Sequence, residues 1–203
     1  MPFKKLNPSL LDTLSNLKLE EPTALQEKII PKIKSGANVF GIAPDGSGKT
    51  TALMISVLQK LKNTSEGDNP RAIVFVKDKK SALELEEKFK KFTKYSGIRT
   101  YSVVEEHHIY NQKEMIYIGI DLVISTPKRL NKLYFQNGIN LNQLELIVID
   151  DANFLNGKDL LTDINRVSES MKKIQHVVFA THFGTKVEQM KKTFMRTAIT
   201  VRE

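Results

Sequence analysis

Seven short apolar runs, separated by segments with helical spacing, constrain this chain more than any other feature. They are NVFGIA at 38–43, RAIVFV at 71–76, IRTYSVV at 98–104, DLVIS at 121–125, LELIVID at 144–150, HVVFA at 176–180 and AITV at 198–201. Most are continuously apolar rather than alternating, as strands covered on both faces are. Helical patterns lie between them at 50–61, 81–92, 127–135, 160–173 and 185–194. This order predicts an α/β fold: a doubly wound, mostly parallel sheet with helices on both faces and right-handed crossovers. Ligands of such sheets sit beyond the carboxyl ends of the strands. Two more helical patterns, LNPSLLDTLSNL and PTALQEKIIPKIK, precede the first strand. They stand outside the alternation of strand and helix and require a reason of their own.

The length of 203 residues and the 40% hydrophobic content suit one domain with its own core, read as 1–203 with a leading region at 1–35 and a core at 36–203. No apolar run approaches a membrane span, the start MPFKKLNPSL lacks the apolar stretch of a secretory signal, and there is no cysteine. These features favour a cytoplasmic location and no membrane partner. The formal net charge of +8 would attract polyanions, and equally would keep the chain soluble.

The stretch APDGSGKT at 43–50 follows an apolar run and opens a helical pattern. A glycine-rich turn there gathers backbone N–H groups around an anion, and the helix dipole points its positive end the same way. The pattern GxxxxGK[ST] is met except at Ala43. Gly46 and Gly48 suit positive φ, Lys49 reaches the outer phosphates, and Thr50 offers a hydroxyl to Mg²⁺. The competing reading is an ordinary turn between strand and helix. In LIVIDDAN at 146–153 an acid follows a buried strand. Asp150 is placed to hold Mg²⁺, and Asp151 to orient or deprotonate a water. Seen alone, the pair also suits a helix cap.

Together these residues resemble the amino-terminal RecA-like domain of DEAD-box RNA helicases, over nearly the whole chain. APDGSGKT resembles that family's first motif, which also begins with alanine, and DDAN stands at the DEAD position. The segment from Phe3 to Pro31 is similar to the Q motif region, with Phe3, Thr23 and Gln26 at matching places, and accounts for the two extra helices. The resemblance implies ATP and Mg²⁺ bound by Phe3, Thr23, Gln26, Ala43, Gly46, Ser47, Gly48, Lys49, Thr50 and Thr51, with Thr50 and Asp150 on the metal. Lys49, Asp150 and Asp151 would be catalytic. A glutamine amide presents a donor and an acceptor side by side, which matches adenine N6 and N7.

STPKRL at 125–130 resembles the family's TPGR motif, which implies sequence-independent RNA backbone contacts by Thr126, Pro127 and Arg129. Lys79 stands for the arginine of another RNA motif. Ala180 and Thr181 match the SAT motif that couples the nucleotide site to RNA, with Phe179 displacing its serine. The family also has a second RecA-like domain, expected here in cis or in trans. Several departures carry expectations. Asp151 is one methylene shorter than the family glutamate, which predicts slow hydrolysis. Asn153 loses a charge that could accept a hydrogen bond from the SAT segment. Asp45, in place of threonine, would repel phosphate if aimed inward. Leu19 stands where an aromatic often stacks on adenine. The family's RNA-binding glycine pair is absent from the loop YSVVEEHHIY, where the adjacent His107 and His108 point apart and suggest no metal site. A non-catalytic scaffold of the same fold is the alternative, and a small-molecule kinase is a weaker third.

Overall fold

The computed structural model describes residues 2–19, 21–105, 107–155, 160–171 and 173–203. All seven apolar runs are strands: β1 (Val39–Ile42), β2 (Ala72–Phe75), β3 (Thr100–Val103), β4 (Leu122–Ser125), β5 (Leu146–Ile149), β6 (Gln175–Ala180) and β7 (Ile199–Arg202). They form one sheet in the order β3-β4-β2-β5-β6-β1-β7, and every pairing is parallel. The helices are α1 (Pro8–Asn16), α2 (Ala24–Lys34), α3 (Lys49–Lys60), α4 (Lys79–Thr93), α5 (Ile109–Ile118), α6 (Pro127–Phe135), α7 (Leu160–Glu169) and α8 (Thr185–Lys192). The helical pattern at 160–173 therefore ends early, and its residue 172 lies outside the described residues. None of the described helices is long and apolar enough to cross a membrane.

The continuous apolar runs have a direct cause. Along β2, Ala72 and Val74 enter a core with the residues of α1 to α4, whereas Ile73 and Phe75 enter a second core with α6 to α8. Likewise Leu146 and Val148 of β5 face the first core, and Ile147 and Ile149 face the second. These central strands are thus apolar on both faces because helices cover both. The two helices ahead of β1 close the first core: Leu10, Leu14, Leu25 and Ile29 are all buried there.

The sheet order divides its carboxyl edge in two. The ends of β5, β6 and β1 are neighbours, so the residues after Ile149, Ala180 and Ile42 gather on one side. The ends of β3, β4 and β2 form the other side. Phe179 fills the first core beside β1, where a side chain at Gly41 would come within 3.0 Å of its ring. The ring is fully buried. Replacing it with the family's serine, Phe179→Ser, removes a ring's worth of packing and buries a hydroxyl. We expect a loss of about 3 to 5 kcal/mol in chemical denaturation. A loss under ~1 kcal/mol contradicts this packing role.

Candidate nucleotide and RNA site

At the carboxyl end of β1 the chain turns through 43–48 into α3. Gly46 and Gly48 have φ of 84° and 89°, the left-handed region that glycine tolerates. Gly48 is further required by contact: a Cβ there would lie 2.6 Å from Gln26 Nε2 and 3.0 Å from Thr23 Oγ1. Gly48 precedes the first residue of α3 and supplies no side-chain cap. The first amides of that helix are therefore donors without helical partners, at the positive end of its dipole.

The loop is braced from α2. Thr23 caps α2, and Gln26 completes a reciprocal capping box, its Oε1 accepting from Thr23 N at 3.1 Å. The same two side chains reach across to the loop. Thr23 Oγ1 donates to Ser47 O at 2.8 Å, and Gln26 Nε2 donates to Gly48 O at 3.2 Å. Gln26 is only 4% exposed. In this conformation its amide ties helix to loop, whereas the sequence reading aimed it at adenine. The spacing T-x-x-Q was the available signal for the capping box. Phe3 is buried in the core, and Leu19 packs half-buried against the same cluster. Neither is presented as a stacking surface.

Lys49, 9% exposed, folds its ammonium back into the loop. Nζ donates to Ala43 O at 2.6 Å, Pro44 O at 2.7 Å and Asp45 Oδ1 at 3.3 Å. Ala43 N in turn donates to Ala180 O at 3.1 Å, locking the loop to β6. Ser47 Oγ donates to Pro44 O at 2.8 Å within the turn. Thr50 and Thr51 follow in the first turn of α3 and are partly buried.

Asp150 follows β5 and is partly buried. Burial, and after it the neighbouring Asp151 charge, pushes its carboxyl above the ordinary value, against the opposing pull of Lys88 and Lys49. Asp151 has φ 51°, and its buried Oδ1 has no hydrogen-bond partner among the described residues. A non-glycine residue in the left-handed region with an unsatisfied carboxylate oxygen is held there at a cost.

Asn153 corrects the expectation drawn from its missing charge. Its Oδ1 accepts from Thr181 N at 2.7 Å and from Thr181 Oγ1 at 2.9 Å. Its Nδ2 donates to His182 O at 3.1 Å and lies 3.1 Å from His182 Nε2. The amide keeps the acceptor of a carboxylate and adds a donor, so the strands β5 and β6 remain bonded beyond their ends. The partner His182 was not singled out from sequence. Phe179 and Ala180 are buried in β6 immediately before this contact.

The RNA candidates lie on the other half of the edge. Lys79 is the first residue of α4, behind the capping Asp78 whose carboxylate accepts from Ser81 N at 2.8 Å. That backbone bond holds the Asp78 carboxyl below its ordinary value. Thr126 caps α6 and Pro127 opens it, both buried. The Thr126 hydroxyl donates to Glu105 Oε1 at 2.7 Å. Arg129 is 4% exposed, its Nε donating to Gln112 Oε1 at 2.8 Å and its Nη2 to His107 O at 2.6 Å. Gln112 Nε2 is itself tied to Val104 O at 2.8 Å. The guanidinium that the resemblance assigns to the RNA backbone is here an internal strut, and the segment after β3, expected as a loop, leads into α5. Glu105 and Gln112 were not foreseen.

A family model described as DEAD/DEAH box helicase matches residues 23–190. ATP-dependent RNA helicase dbp10 of Schizosaccharomyces pombe is 31% identical over 150 residues, covering 74% of this chain and 18% of that protein. Probable ATP-dependent RNA helicase DDX46 of Homo sapiens is 26% identical over 203 residues, covering 97% of this chain and 20% of that protein. The chain spans about a fifth of the length of these curated relatives. Among solved structures, a DEAD box protein from Methanococcus jannaschii superposes with a TM-score of 0.89 at 18% identity, over 98% of this chain and 54% of that one. The RNA-helicase Prp28 from Chaetomium thermophilum bound to ADP superposes with a TM-score of 0.84 at 22% identity, over 96% and 48%. The shared fold is the RecA-like one.

The raised Asp150 carboxyl has a consequence for stability. A buried aspartate of this kind costs the folded state nothing while protonated, below the ordinary value of 3.8. The cost grows as pH rises through the raised folded value and is complete at neutrality. Asp150→Asn should therefore raise Tm at neutral pH, and the gain should vanish as pH falls below the ordinary aspartate range. A Tm unchanged or lowered at neutral pH contradicts this.

Proposed function

We propose, for a chain that belongs to the DEAD/DEAH box helicase family, that it binds ATP with Mg²⁺ and serves as the amino-terminal domain of an ATP-dependent RNA helicase. The names of its relatives support this reading, as does the ADP of the Prp28 structure. So does the loop itself, because the uncapped start of α3 and the Lys49 ammonium supply donors of the kind a triphosphate takes. Thr50 and Asp150 offer the hydroxyl and carboxylate oxygens that suit a hard cation, and Mg²⁺ held there would neutralise charge on the phosphate oxygens. Thr23 and Gln26 hold the loop in shape. Ala180 and Thr181, through Asn153, connect the acidic pair to β6.

The observation that carries hydrolysis is Asp151. Its left-handed backbone and a buried carboxylate oxygen with no hydrogen-bond partner among the described residues suit a group that would accept a proton from an attacking water. The transfer would be completed by a second RecA-like domain, in cis or in trans, that stabilises charge on the γ-phosphate. RNA would run along the other half of the edge, past Lys79 and the Thr126 end of α6, with contacts to backbone rather than bases. A cytoplasmic location is part of the same proposal.

The second reading, a non-catalytic scaffold, is favoured by Glu105, whose carboxylate occupies the Thr126 hydroxyl at the start of α6. Calorimetry and turnover separate the two. Lys49→Ala should weaken Mg·ATP binding to this chain about 10- to 100-fold, since a charge-assisted bond contributes ~1.5 to 3 kcal/mol. Asp151→Asn should keep binding within about threefold and abolish RNA-stimulated hydrolysis in the presence of the second domain, a split between binding and chemistry. Equal Mg·ATP affinity for Lys49→Ala and wild type contradicts the nucleotide site. Tight binding with no turnover by the wild type selects the scaffold. Glu105→Gln should tighten single-stranded RNA binding several-fold at low salt, read by fluorescence anisotropy. No change places the RNA elsewhere.

A further inference from the structure

Asp45 stands at the tip of the phosphate loop, and its side chain is 93% exposed. Its carboxylate has one ionic partner among the described residues, the Lys49 ammonium at 3.3 Å. An ammonium has three N–H donors. Here they meet Ala43 O, Pro44 O and Asp45 Oδ1. Two of these acceptors are backbone of the loop, so the side chain is the acceptor that can leave. Gly46, next in the chain, has nothing within 4 Å of where a Cβ would stand and has φ 84°, so the tip has room to turn.

We propose that Asp45 is a resident competitor for the phosphate position on Lys49, and that it sets the affinity of this loop for nucleotides according to their charge. The inference rests on the reading that the loop takes a nucleoside triphosphate. Binding is then an exchange of one anion for another on the same ammonium. The displaced carboxylate stays tethered one residue from Gly46, within the field of the incoming phosphates. Like charges held a few ångströms apart at an exposed site cost a modest amount, which salt screens. The cost rises with ligand charge, so the triphosphate is penalised more than the diphosphate, and an uncharged nucleoside not at all. Its high exposure lets Asp45 swing into water, which bounds the effect without removing it.

The test compares wild type, Asp45→Asn, Asp45→Thr and Lys49→Ala, each checked for an unchanged fold by circular dichroism. ATP, ADP and adenosine are titrated at fixed Mg²⁺. Asp45→Asn and Asp45→Thr should bind ATP roughly fivefold more tightly than wild type, with a smaller gain for ADP and none for adenosine. The ATP gain should collapse in about 1 M salt, where the screening length falls to roughly 3 Å. A merely structural role for Asp45 would move all three ligands alike and would not respond to salt in this way. Equal or weaker ATP affinity in both Asp45 variants, while the wild type binds and Lys49→Ala binds about 10- to 100-fold more weakly, overturns the inference alone. If no folded variant binds ATP, the nucleotide reading falls, and the inference with it.

Discussion

The candidate site depends on the parallel register of three neighbouring strands. Ile42 of β1 is level with Ala180 of β6, and Ile149 of β5 is level with Val178. Because parallel strands end at one edge, the three loops that follow them are brought together without contacts of their own. The contacts then refine the position. Ala43 N bonds Ala180 O, and the Asn153 amide bonds Thr181. Each such bond is worth only about 0.5 to 1.5 kcal/mol net. The sheet, buried on both faces, supplies the rigidity, and the bonds select the register of its loops.

Both halves of the edge carry an acidic side chain where the family resemblance expects a phosphate. Asp45 lies on Lys49, and Glu105 lies on the Thr126 hydroxyl. Each carboxylate belongs to an exposed residue and satisfies a donor at lower cost than a buried ion would. The resemblance to a catalytic domain and the signs of degeneracy therefore meet in the same atoms. In the nucleotide half Asp151 has a left-handed backbone and a buried carboxylate oxygen with no hydrogen-bond partner among the described residues.

Much of the fold was legible because strands buried on both faces write themselves as unbroken apolar runs. The central runs show this most clearly, and all seven runs, including the two at the sheet edges, are strands of one parallel sheet. The helix α5 was not legible. Ile109 and Ile116 face inward, but Tyr110, Tyr117 and Ile118 are exposed on the same short helix, so no apolar stripe marks it. In the site, residues whose role follows from backbone conformation were readable: Gly46 and Gly48 have the φ values the motif demands. Residues whose role depends on what a side chain meets were not. Nothing in STPKRL says that Arg129 turns inward to Gln112, because that partner is 17 positions away and reaches it only through the fold. The same holds for Asn153, whose amide finds Thr181 at a separation of 28 residues.

On the proposed function, the turn from β1 into α3 is an anion cradle for a nucleoside triphosphate. Hydrogen exchange of the backbone amides from Gly46 to Thr51, followed on the folded chain as Mg·ATP is added, tests it most directly. These amides should slow markedly at saturation, while those of α5 stay unchanged. Unaltered exchange across the loop at millimolar nucleotide would contradict it.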